Sequence, residues 1–109
     1  MKELQTIEDW QAVLKHSQEE RLFMLKHSTA CPVSRDALRE FDELETDIPK
    51  YFLKIQHHRP VSAEIESNLG RKHESPQLFL VKDGKALWEA THRAITKSKI
   101  TKALEELEG

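Results

Sequence analysis

Two short apolar runs, Leu22-Phe23-Met24-Leu25 and Tyr51-Phe52-Leu53-Lys54-Ile55, flank a segment with helical periodicity, and this strand, helix, strand unit most constrains the fold. The first run shows no polar alternation, as expected of a strand covered on both faces. Between the runs, Val33, Ala37, Leu38, Phe41 and Leu44 mark one helix face while Arg35, Asp36, Arg39, Glu40 and Glu43 occupy the other, and Pro49 closes the segment. Such a unit requires a right-handed crossover and parallel strand pairing. Further on, Leu78-Phe79-Leu80-Val81 and Ala86-Leu87-Trp88 bracket Asp83-Gly84, a strong signal for a two-stranded antiparallel hairpin. The sheet must therefore hold both kinds of pairing.

Three more helices complete the pattern. Thr6 with Glu8 and Asp9 reads as an N-cap and acidic first turn, followed by Ile7, Trp10, Val13 and Leu14 at helical spacing over residues 7–16. After the polar turn His57-His58-Arg59-Pro60, Ser62 is a fair N-cap for a short helix ending at Gly70. Thr96 caps a last helix with Ile100, Ala103, Leu104 and Leu107 inward. The order α-β-α-β-α-β-β-α predicts an α/β protein with a mixed four-stranded sheet flanked by helices, the layout of the thioredoxin fold. The 109 residues fit one domain, residues 1–109, with no repeat, low-complexity segment or linker.

Acids and bases are interleaved to a net charge of −2, which gives no basic footprint for nucleic acid. No apolar run is long enough for a membrane span, and Met1-Lys2-Glu3-Leu4-Gln5 lacks the apolar core of a secretory signal. A lone cysteine is no disulfide framework, so a soluble protein of the reducing cytoplasm is expected. The six histidines, His16, His27, His57, His58, His73 and His92, match no ligand spacing, and no metal site is expected.

The lone cysteine, Cys31, lies in Ala30-Cys31-Pro32-Val33-Ser34, at the start of the helix that follows the first apolar run. A helix N-terminus leaves backbone N–H groups unpaired and carries partial positive charge, so sulfur there is favoured as thiolate, the form that attacks disulfides. Pro32 suits the first turn, where its missing N–H costs nothing. Ser34 stands where a C-x-x-C motif has its second cysteine. It either donates a hydrogen bond to the sulfur or is a solvated first-turn residue. With one cysteine, any redox cycle runs through a mixed disulfide with another molecule. The bland alternative is an inert buried cysteine.

The chain resembles the monothiol bacilliredoxins, small stress-associated thioredoxin-like proteins of bacilli and related bacteria. The likeness spans nearly its whole length and rests on Lys26-His27-Ser28-Thr29-Ala30-Cys31-Pro32-Val33-Ser34, His57-His58-Arg59-Pro60-Val61-Ser62 and Lys72-His73-Glu74-Ser75-Pro76-Gln77. The family motif usually reads Thr-Cys-Pro-Ile-Ser; Val33 is a mild change, whereas Ala30 removes a hydroxyl that could bond substrate or sulfur. The resemblance implies removal of bacillithiol from S-bacillithiolated client proteins, with bacillithiol as co-substrate and Cys31 as the nucleophile. It also implies that Ser75–Pro76 is cis and faces Cys31, leaving the preceding backbone free to pair with substrate; without it, an ordinary trans proline at a strand start is expected.

Lys26 and His27 precede the active loop and either supply positive charge to the thiolate or a bacillithiol carboxylate, or are exposed surface groups. His92, Arg93 and Thr96 lie where glutaredoxin-like proteins hold a cofactor carboxylate, a location that suits an anion. The expected molecule is a monomer. Two rival readings are a non-catalytic module that senses stress through a reversible thiol cap and an iron–sulfur carrier of the monothiol glutaredoxin type, whose C-G-F-S loop is missing here.

Overall fold

In the computed structural model, which describes residues 1–108, the chain is organised around β2 (Leu22–His27), buried along its whole length. On one side β3 (Lys50–Lys54) pairs with it in parallel; on the other β4 (Gln77–Lys82) pairs antiparallel. The crossover from β2 to β3 is α2 (Pro32–Glu43), and β5 (Lys85–Thr91) closes the hairpin with β4. Asp83 and Gly84 have φ of 53° and 70°, the pair of left-handed residues that a tight hairpin turn needs.

The sheet has five strands where the sequence predicts four. β1 (Lys2–Leu4) pairs in parallel with the outer edge of β3, giving the order β1-β3-β2-β4-β5. Three residues with a single apolar side chain show no periodicity, yet Leu4 is buried at 1% exposure and anchors the strand. The fold predicted from the strand, helix, strand unit and the hairpin is the one found.

α1 (Ile7–His16) begins with the expected cap: the Asp9 N–H donates to Thr6 Oγ1 at 3.0 Å and the Thr6 N–H to Asp9 Oδ2 at 3.2 Å. α3 (Arg59–Leu69) starts earlier than predicted. His58 precedes it, Pro60 sits in its first turn, and Ser62 is a buried interior residue rather than the cap. A proline in the first turn, where no donor is lost, outweighs a serine cap signal. Gly70 ends the helix with φ 64°, as expected. α4 (Lys97–Glu108) follows a 3₁₀ turn, His92–Ala94, and Thr96 Oγ1 accepts the Lys99 N–H at 3.2 Å. Ile100 and Ala103 are buried, but Leu107 is 46% exposed because the final turn runs past the residues that α4 packs against.

Two apolar layers result. One unites Leu4, Trp10, Met24, Leu53, Ile65 and Phe79 with α1 and α3; the other unites Phe23, Leu25, Phe41, Leu78, Leu80 and Ile100 with α2 and α4. Strand alternation sends Leu22 and Met24 into the first and Phe23 and Leu25 into the second, so the continuous apolar run is covered on both faces. The C-terminus of α2 is fixed by Lys50, whose Nζ donates to the carbonyls of Phe41, Asp42 and Leu44 at 3.0, 3.1 and 2.8 Å. A cation there offsets the negative end of the helix and satisfies its free acceptors.

Candidate active site

At the C-terminal end of β2 the chain turns through residues 28–30 and enters α2 at Cys31, the N-cap, with φ −118° and ψ 123°. Cys31 is partly exposed and lines a cavity of about 310 Å³ with His27, Thr29, Pro32 and Arg35. Its side chain closes no full capping bond. The backbone N–H of Ser34, then that of Val33, and the Ser34 hydroxyl nevertheless face the sulfur, and Arg93 adds a distant positive charge; together they hold the thiol below its ordinary pKa. Burial opposes this only in part. These are the donors expected at a helix N-terminus.

Ser34 is fully buried rather than solvated. The Ser28 N–H donates to its Oγ at 3.3 Å, so the hydroxyl proton is left for the sulfur. The loop itself is clamped by Gln56: its Nε2 donates to Ser28 Oγ at 2.6 Å, and its Oε1 accepts the Thr29 N–H at 3.0 Å. Gln56 lies in the turn after β3 and carries no sequence signal of its own, since its role arises only when that turn meets the cysteine loop.

The Ser75–Pro76 bond is cis, as the resemblance implies. Pro76 precedes β4 beside the end of β2, where Gln77 is in register with Lys26. The segment before it is tied down by the buried Gln77 side chain, which donates to Lys72 O at 3.0 Å and to Glu89 Oε2 at 2.6 Å and accepts the Glu74 N–H at 3.2 Å. Ser75 Oγ is buried with no hydrogen-bond partner. His92, at φ 52°, donates its backbone N–H to Pro76 O at 3.0 Å, joining the 3₁₀ turn to the cis proline.

A thiol at a helix N-cap and a cis proline before an antiparallel strand agree with what comparison with known proteins finds. The family profile described as "Monothiol bacilliredoxin BrxC" matches residues 2–100. The chain belongs to the monothiol bacilliredoxin family. A solved thioredoxin-fold protein described as a candidate oxidoreductase shares 33% identity with a TM-score of 0.84, covering 94% of this chain and 92% of that one. The thioredoxin of Fasciola hepatica, at 13% identity, superposes with a TM-score of 0.76 over 97% of this chain and 98% of its own. A poplar thioredoxin h mutant does so with 0.79 at 16% identity, over 98% and 81%. These two show the fold alone.

In this bacilliredoxin the remaining candidates divide. Lys26 and His27 are not exposed surface groups: they are 0% and 7% exposed. Lys26 points away from Cys31 into the layer under α3, where its Nζ donates to Ser62 O at 3.4 Å. Burial lowers its pKa to about 8, with the Glu66 carboxylate acting against that shift. Its charge is therefore not brought to the sulfur. His27 faces the α2 layer and does line the Cys31 cavity. Burial, with Lys54 adding to it, disfavours its protonation, while a Ser34 backbone group acts the other way. It is thus a neutral ring at neutral pH rather than a source of positive charge. His92 and Arg93 are exposed; His92 Nε2 stands 3.8 Å from Glu74 Oε2. Thr96 is engaged as the α4 cap. Among the described residues, no group of three or more His, Cys, Asp or Glu side chains is placed to hold a metal, and no helix is long and apolar enough to cross a membrane.

Proposed function

We propose that this protein is a monothiol thiol–disulfide oxidoreductase that removes bacillithiol from S-bacillithiolated proteins, acting as a monomer in the cytoplasm. The observation that carries the reading is an accessible lone thiol at the N-terminus of α2, favoured as thiolate by the N–H groups of Ser34 and Val33, in a member of the bacilliredoxin family. The Cys31 thiolate attacks the bacillithiol sulfur of the client's mixed disulfide. The client sulfur leaves as a thiolate that solvent protonates, and Cys31 keeps the cap. A second bacillithiol then attacks the cap sulfur, releasing Cys31 and bacillithiol disulfide. A single cysteine suffices for this route, and a thiol whose thiolate form is favoured reacts through the species that attacks disulfides. The free backbone at Ser75 supports a second point of substrate contact by main-chain pairing.

Intact-mass analysis of reduced protein mixed with a bacillithiolated model protein tests the proposal, beside a Cys31→Ser control and a glutathionylated substrate. Bacillithiol should appear on Cys31, with little transfer of glutathione and none to the control. Absence of any adduct on folded wild-type protein would refute the reading.

A further inference from the structure

Buried polar side-chain atoms almost always find a partner. Among the described residues His27 Nδ1 does not, although the residue lines the cavity that holds Cys31. The charged groups around the ring come from several elements. Lys54 is its register partner on β3, Arg35 on α2 and Cys31 line the same cavity, and Arg93 on the 3₁₀ turn acts on Cys31 from a distance. The β4 side brings Pro76, which carries no charge. Burial first, and then the Lys54 charge, disfavour protonation of the ring against the opposing Ser34 backbone group, so it stays neutral at neutral pH. A neutral imidazole carries one N–H and one open lone pair.

We infer that His27 is the proton acceptor for the thiol that enters this cavity to regenerate Cys31. This rests on the thiol exchange proposed above and concerns its second half. When a low-molecular-weight thiol attacks the cap sulfur of a Cys31 mixed disulfide, a bond forms between the incoming and cap sulfurs. The bond between cap and Cys31 breaks, its electron pair staying on the Cys31 sulfur. The proton of the incoming thiol passes to the open ring nitrogen of His27 and later to solvent. The incoming thiol and the cap leave oxidised as a disulfide, and Cys31 is left reduced as the thiolate that α2 stabilises. The first half-reaction needs no such base, because its nucleophile is Cys31, whose thiolate form the N-terminus of α2 already favours.

The test uses the full chain with Cys31 capped by methyl methanethiosulfonate, so that no bacillithiolated client is required. Cap removal is followed by intact mass with 2-mercaptoethanol, largely protonated at neutral pH, and with trifluoroethanethiol, which ionises far more readily. His27→Gln keeps a polar side chain without proton affinity. It should slow removal by 2-mercaptoethanol about tenfold or more and removal by trifluoroethanethiol by no more than about twofold, since an ionised thiol needs no base. Equal slowing with both thiols, or none with either, would overturn the inference. Should the variant fail to fold, wild-type protein gives the same decision. Its rate relative to that of a small capped disulfide should rise with the pKa of the attacking thiol, and a constant ratio would refute the base. Failure of wild-type Cys31 to take bacillithiol from a client would sink the proposed function while leaving this measurement intact.

Discussion

Lys26 and His27 are consecutive on β2, both buried, both with protonation disfavoured by burial, and the alternation of the strand sends them to opposite layers. On the α2 side the buried group meets a cavity containing a nucleophile; on the α3 side it meets a backbone carbonyl. The same cost of desolvation thus serves chemistry on one face and only structure on the other. The sheet separates them, so each can be altered without the other.

Lys26→Met gives the larger effect. A lysine whose folded pKa lies at about 8, against 10.5 ordinarily, binds fewer protons folded than unfolded between those two values, so its contribution rises with pH across that window. Below about pH 8 both states are charged and the full burial cost, on the order of 3 kcal/mol at about 1.4 kcal/mol per pH unit, weighs on the fold. Replacement by an apolar side chain removes that cost and forfeits one long hydrogen bond worth about 1 kcal/mol. Denaturant unfolding should therefore show the variant roughly 2 kcal/mol more stable at neutral pH, its advantage shrinking towards pH 10, with Cys31 alkylation unchanged. A variant less stable than wild type at neutral pH would mean that Lys26 is a net support of α3.

Ser34→Ala addresses the opposite face. The hydroxyl joins the sulfur to the Ser28 N–H, and a hydrogen bond to the ionised form of a thiol favours that form. The pKa of Cys31 should rise, and its alkylation at neutral pH should slow about tenfold, reaching the wild-type rate only at alkaline pH, where the thiol is ionised in both. Stability should fall as well, by about 1–3 kcal/mol, because the Ser28 N–H loses its acceptor. An unchanged pH–rate profile would leave the backbone N–H groups as the whole source of thiolate stabilisation.

Features fixed by neighbours in sequence were legible from the chain alone. The Thr6 and Thr96 caps, the Asp83-Gly84 turn and the Cys31-Pro32 helix start each depend on a few adjacent residues, and the structure has them. β1 was hidden because Lys2-Glu3-Leu4 is too short for a period, and its pairing depends on an edge that β3 leaves open. The α3 boundary differs from the expected one because Pro60 fits the first helical turn and so starts the helix ahead of Ser62. Lys26 and His27 read as surface residues because charge and polarity in sequence say nothing about which helices cover a strand end. Gln56 was invisible for a similar reason: its partners, Ser28 and Thr29, come from another crossover. The cis Ser75–Pro76 bond came only through family resemblance, since a proline before a strand is ordinarily trans.

Arg93 gives the smallest effect and the finest test of the working face. Of the groups lowering the Cys31 pKa it ranks last, and it is exposed, so its attraction for the thiolate passes largely through water. Exposed charges interact weakly and are screened over about 8–10 Å at ordinary ionic strength. Arg93→Ala should therefore slow Cys31 alkylation less than about twofold at 0.15 M salt, and more at low salt, where screening is relaxed. Wild-type alkylation should fall as salt is added, and much of that dependence should vanish in the variant, the remainder belonging to Arg35 in the same cavity. A salt dependence identical in both proteins would remove Arg93 from the site and leave the helix N-terminus, which salt screens poorly at such short range, as what holds the thiolate.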